Sequence, residues 1–128
     1  MRLLLDTHAL LWWSEDDLRL GGSARRRLTD GADDILVSPV SAYEMTFKHL
    51  LGKLPSATAL LADLDGYLKE QGFAILPIEW RHAELAGRLP LEHRDPFDRL
   101  LIAQAVAEDL TLMSNDTAFD QFGVRRLW

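Results

Sequence analysis

Leu3-Leu4-Leu5-Asp6-Thr7-His8 follows directly on Met1-Arg2 and joins two signals. Three consecutive leucines between polar residues read as a short strand buried on both faces, the kind a parallel sheet uses. The carboxylate that ends the run stands where a strand hands over to a helix. Further along, Ile35-Leu36-Val37, Phe73 to Ile78 and Thr111-Leu112-Met113-Ser114 read as three more strands, with Val124 to Trp128 as a short edge strand. Helical patterns separate these runs, and such alternation predicts an α/β fold with a mainly parallel sheet.

The helix ends are readable too. Ser38-Pro39 supplies an N-cap and a first-turn proline, and Gly52 a stop after Leu50-Leu51. Ser56 predicts the cap of one long helix over Ala57 to Gln71 that ends at Gly72. A helix over Glu79 to Arg88 and another from Asp95-Pro96 to about Asp109 complete the pattern. This order puts Asp6 and Asp116 just past the carboxyl ends of two strands, the edge where open α/β sheets bind ligands.

The chain of 128 residues has the length of one domain, 1–128, with a conventional core. It has no cysteine, which excludes disulfides, thiolate metal sites and cysteine nucleophiles. The opening apolar run is too short for a signal peptide, and no stretch of about 18 apolar residues occurs, so a cytoplasmic protein without membrane contact is expected. A net charge of −6 argues against a broadly basic nucleic-acid surface. It leaves room for a nuclease whose acids gather in one pocket. The local basic clusters, Arg25-Arg26-Arg27, Lys48 with Lys53, His93-Arg94 with Arg99, and Arg125-Arg126, read first as solvated faces and second as a phosphate track.

Four acids stand in places a lone carboxylate should avoid, because an unpaired buried charge is costly. Glu44 closes Ser41-Ala42-Tyr43-Glu44, a pattern in which the glutamate satisfies an amide at a helix start. With Ser38 as the cap, however, Glu44 lies nearly two turns inside, on the face carrying Val40, Phe47 and Leu51. Lys48, four residues on, offers a salt bridge worth about 0.2–0.5 kcal/mol, and both readings of Glu44 stay open. Asp95 suits an N-cap. Asp98 suits it less, since Leu101, Ile102 and Ala105 place it at the mouth of an apolar stripe. Asp6 and Asp116 each also read as caps of short helices. Taken singly the acids are structural; four from four segments, two on one sheet edge, exceed what capping explains. Gathered carboxylates raise one another's pKa unless a cation intervenes. Oxygen donors favour magnesium or manganese, and the chemistry such a site offers is phosphodiester hydrolysis.

Taken in order, Leu3-Leu4-Leu5-Asp6-Thr7-His8, Ser41 through Glu44 to Lys48, Asp95-Pro96-Phe97-Asp98-Arg99-Leu100-Leu101-Ile102-Ala103 and Ser114-Asn115-Asp116-Thr117-Ala118-Phe119 resemble the motifs of PIN-domain ribonucleases. The likeness is closest to the VapC-type toxins of bacterial toxin–antitoxin pairs. It implies a three-layer α/β/α fold, magnesium- or manganese-dependent cleavage of RNA, a homodimer, and inhibition by a small cognate antitoxin. It also implies that Asp6, Glu44, Asp98 and Asp116 are the metal-site acids, with Thr7 and Asn115 hydrogen-bonding ligand carboxylates or metal-held water. Asp95 is expected to cap and support; Lys48, Arg99 and the Arg25 to Arg27 run are expected to hold RNA phosphates without reading bases. His8 and His93 are expected to be supporting or surface groups.

Two other readings compete. Phosphoryl-transfer domains also place an acid after the first strand, but Asp6-Thr7-His8 lacks their second acid and leaves Glu44 unexplained. A non-catalytic PIN-like binding module would usually have lost an acid. Trp12 and Trp13 point about 100° apart on a helix, so one is expected to face the core and the other to be half-buried or to mark a partner surface. Leu60, Leu61 and Leu64 either pack inward or line an antitoxin groove.

Overall fold

The protein is described by a computed structural model covering residues 1–128. Its strands are β1 (Arg2–Leu5), β2 (Asp34–Val37), β3 (Ala74–Ile75), β4 (Thr111–Met113) and β5 (Arg126–Leu127). They form one sheet in the order β3-β2-β1-β4-β5, and every pairing is parallel. In the register, Leu5 at the end of β1 stands beside Val37 and Met113, so the three central strands end level.

Seven α-helices connect them: α1 (Thr7–Ser14), α2 (Gly22–Asp30), α3 (Pro39–Leu50), α4 (Thr58–Ala62), α5 (Leu64–Gln71), α6 (Trp80–Arg88) and α7 (Pro96–Ala107). Short 3-10 segments span Pro55–Ala57 and Thr117–Phe122. Alternate side chains of a strand face opposite sides. Accordingly Leu3 and Leu5 join a core with α1, α2, α4 and α5, while Leu4 joins a second core with Leu101, Ile102 and Ala105 of α7. All three leucines are fully buried, each worth about 1.5–3 kcal/mol relative to exposure. Two cores on two faces make the three-layer α/β/α arrangement that the resemblance implies. No helix is long and apolar enough to cross a membrane.

The structure corrects several local expectations. The helix expected from Ala57 to Gln71 is broken at Asp63 (φ −154°, ψ 71°), whose side chain accepts from the Gly66 amide and starts α5 anew. Ser56 lies inside the 3-10 segment and caps nothing. The third strand is two residues, shorter than Phe73 to Ile78; the Leu76 amide still reaches the Val37 carbonyl, and Pro77 has no donor to extend the ladder. β5 is likewise limited to Arg126–Leu127. Helix α2 is additional: the Arg25 to Arg27 run is helical, with Ala24 and Leu28 buried.

Trp12 is buried and Trp13 half-buried against the same core, its indole donating to Gln71. Leu60 is buried, and Leu61 and Leu64 pack on that core, so these leucines point inward.

Candidate metal centre

The level ends of β1 and β4 deliver their acids to one edge. Asp6 leaves β1 in an extended conformation and caps α1, its Oδ1 accepting from the Ala9 amide at 2.8 Å. Asp116 caps the second 3-10 segment through the Ala118 amide at 2.9 Å, while its own amide donates to the Ser114 hydroxyl. Asp95 caps α7 with bonds from the Phe97 and Asp98 amides. Asp98, in the first turn of α7, receives His93 Nε2 on Oδ2 at 2.8 Å. Helix N-termini carry partial positive charge, which favours anions at each of these positions.

Glu44 comes in from the second turn of α3 and is only 4% exposed. Its carboxylate does not cap an amide as the S-x-x-E pattern suggests. Oε1 accepts from the Thr7 hydroxyl at 2.6 Å, and Oε2 is ion-paired to Lys48 Nζ. The Ser41 hydroxyl lies 3.1 Å from that of Thr7, completing a buried chain across α1 and α3.

Asp6, Glu44, Asp95, Asp98 and Asp116 all line one cavity of about 410 Å³, together with Thr7, His8, Lys48, Asn115 and Phe119. Five carboxylates thus face one ammonium. Burial raises the Asp6 carboxyl above its ordinary value, with the Glu44 charge adding to it and Ser114, the Ala9 amide and His8 opposing. Burial likewise pushes Asp98 up to about 6 against the pull of His93, with Asp95 and Glu44 adding repulsion. Burial draws the Lys48 ammonium down, but Glu44, Asp95 and Asp98 outweigh it and hold Lys48 above its usual 10.5.

Of the residues singled out in the sequence, Asp6, Thr7, Glu44, Lys48, Asp95, Asp98, Asn115 and Asp116 are therefore brought together. Arg99 is not. Its guanidinium donates to the carbonyls of Gly87, Leu89, Pro90 and His93, so the expected phosphate contact gives way to a loop clamp. Nor does the arginine run form a phosphate track. Arg25 pairs with Asp16, and Arg27 with Asp33 ahead of β2, at the opposite edge of the sheet. Ser41, Ser114 and Phe119 were not legible as site residues; Ser41 was hidden inside an apparent capping pattern.

One tighter group lies elsewhere. Ligand atoms of Glu79, His82 and Glu108 all fall within 4.8 Å of one another, closer than any three of the cavity's acids. Both His82 nitrogens are already satisfied, by the Glu79 amide and by Glu108, which Arg81 also pairs. That trio ties α6 to the end of α7, roughly 15 Å along the helix from Asp98. It has the character of a structural lock.

The cavity's donor set suits a hard divalent cation. It is all oxygen apart from His8 and Lys48, its five carboxylates are offset by a single ammonium, and Asp98 Oδ1 has no protein donor. No three of these acids bring ligand oxygens within 4.8 Å of one another, and magnesium, which keeps several waters and is held directly by one or two carboxylates, does not require them to.

A family model for the PIN domain matches residues 3–124. The chain belongs to the PIN-domain family. This PIN domain is 28% identical over 116 residues to Ribonuclease VapC22 of Mycobacterium tuberculosis, an alignment spanning 89% of the chain and 86% of that protein. Its fold superposes with TM-score 0.72 on a chain of VapBC2 from Rickettsia felis bound to a promoter DNA fragment, at 18% identity and covering 99% and 98% of the two chains. A DNA-bound VapBC from Salmonella typhimurium gives TM-score 0.69 at 15% identity, covering 99% and 97%. At these identities the two structures speak to fold alone.

Proposed function

We propose that this PIN domain is a magnesium- or manganese-dependent endoribonuclease, the toxin of a type II toxin–antitoxin pair, acting as a homodimer in the cytoplasm and held in check by a small cognate antitoxin. One observation carries the chemistry: five carboxylates share a cavity with one lysine, and burial holds Asp6 and Asp98 above their ordinary pKa. Similarity to a curated VapC ribonuclease and to VapBC complexes supports the substrate and the partner.

A bound divalent ion supplies Lewis acidity and an activated water for attack on phosphorus. Asp6, Asp98 and Asp116 are the residues that would hold it, each with one oxygen engaged by the protein. Glu44, expected from the resemblance to be a fourth metal-site acid, has both oxygens engaged, by Thr7 and Lys48, and is assigned here instead as the anchor that fixes the ammonium beside the reacting centre. Lys48 then faces the phosphate that enters, and its charge offsets the negative charge growing on the phosphoryl oxygens.

The full acid set weighs against a non-catalytic PIN-like module, and the absence of an adjacent second acid at Asp6 weighs against a phosphatase. The test is RNA cleavage by the purified, antitoxin-free chain with magnesium or manganese, with chelator, and with Asp6→Asn. Cleavage that needs metal and is lost with Asp6→Asn is expected. Cleavage indifferent to the chelator, or phosphatase turnover instead, would overturn the reading.

A further inference from the structure

The loop from Leu89 to Asp95 joins α6 to α7 and has no regular structure of its own. One side chain anchors it. Arg99 reaches back from α7 and donates to Pro90 O and His93 O, both at 2.7 Å, and to Leu89 O at 2.7 Å. Within the loop Pro90, Leu91, Glu92 and Arg94 are exposed, whereas the His93 side chain is only 16% exposed. Its ring is boxed by Phe119 and Phe122, with centroids 6.0 and 5.7 Å away. The ring's Nε2 meets Asp98 Oδ2 at 2.8 Å, while Asp98 Oδ1 is left without a protein donor.

We propose that His93 is a positioning residue: held by the Arg99 clamp and the two phenylalanines, it fixes the rotamer of Asp98 so that Oδ1 faces the cavity. The inference rests on the metal-nuclease reading of the cavity. The physical reason is that a carboxylate in the first turn of a helix has several rotamers, and only one presents its free oxygen to the other acids. With Asp98 ionised, the contact places a proton on Nε2, which donates. Groups of this kind, one bond removed from a ligand, typically alter metal affinity 10- to 100-fold when lost. Arg99, expected from the sequence to touch phosphate, acts here through the loop.

Two variants separate orientation from packing. His93→Phe keeps an aromatic ring between Phe119 and Phe122 but has no donor; His93→Gln keeps an N–H close to the Nε2 position and loses the ring. Titration calorimetry with Mn2+ alone, without RNA, is the readout. His93→Phe is expected to weaken Mn2+ binding about 10- to 100-fold, and His93→Gln to stay near wild type. In an Asp98→Asn background His93→Phe is expected to change nothing further.

Wild-type affinity in His93→Phe, a loss in His93→Gln as large as in His93→Phe, or an undiminished effect in the Asp98→Asn background would each overturn the proposal. Should His93→Phe fail to fold, Arg99→Gln releases the same loop and is expected to weaken Mn2+ binding in the same direction; unchanged binding there overturns it. Wild type that binds Mn2+ and spares RNA sinks the nuclease reading alone, with the His93 comparison still decisive. Wild type that binds no Mn2+ sinks both.

Discussion

Asp98→Asn removes a charge that burial disfavours while leaving an oxygen for His93. In the folded chain burial pushes the Asp98 carboxyl from 3.8 up to about 6. Between those values the folded state holds a proton that the unfolded state has lost, so stability falls as pH rises through this window. Above about 6 the full penalty stands. At about 1.36 kcal/mol per pH unit, the gap between 3.8 and about 6 comes to roughly 3 kcal/mol, an upper figure because water enters the cavity. In chelator at about pH 8, Asp98→Asn should therefore exceed wild type in stability by roughly 2–3 kcal/mol, and the advantage should vanish below 3.8. Asp6, also raised by burial, is common to both proteins and cancels in the difference. Urea unfolding across the acid and neutral range measures it. Manganese at a hundredfold excess over Kd should return about 2.7 kcal/mol to wild type and erase the advantage. A difference independent of pH, or a metal-free wild type that is the more stable protein at neutral pH, would refute the reasoning.

Lys48→Met leaves the buried Glu44 charge without its ammonium, and urea unfolding of the metal-free protein should show a loss of about 3–5 kcal/mol, largely recovered in the Glu44→Gln, Lys48→Met double variant. Gly21→Ala should destabilise by about 1–3 kcal/mol in thermal melts, because a Cβ there would stand 2.6 Å from the Trp128 ring and 2.7 Å from its main chain; RNA cleavage by the folded fraction should be unchanged. Thr7→Val removes the hydroxyl that satisfies Glu44 Oε1, and is expected to cost about 1–3 kcal/mol and to slow cleavage.

Residues whose environment is local were readable in the sequence. The leucine run of β1, the Ser38-Pro39 start and the Asp95 cap each depend on neighbours a few positions away, and each stands as expected. Helix α2 was missed because its start, Gly21, has no capping side chain and its buried stripe is two residues, Ala24 and Leu28. The break at Asp63 was missed because an aspartate inside a helical pattern declares itself as a cap only through its contact with Gly66. At the site, the choice posed by the sequence between cap and ligand was too sharp. A carboxylate has two oxygens, and Asp6 and Asp116 cap with one while facing the cavity. The orientation of Arg99 depends on carbonyls up to 12 residues away, which no local pattern encodes.

That double use of Asp6 and Asp116 constrains how this chain can lose its activity. An aspartate that starts a helix costs about 0.5–2 kcal/mol to replace by alanine, whereas asparagine caps as well as aspartate does. Variants that lose the cavity's chemistry by mutation at these two positions should therefore fall into two classes: asparagine variants that keep the stability of the fold, and alanine variants that are also less stable by about 0.5–2 kcal/mol at each position.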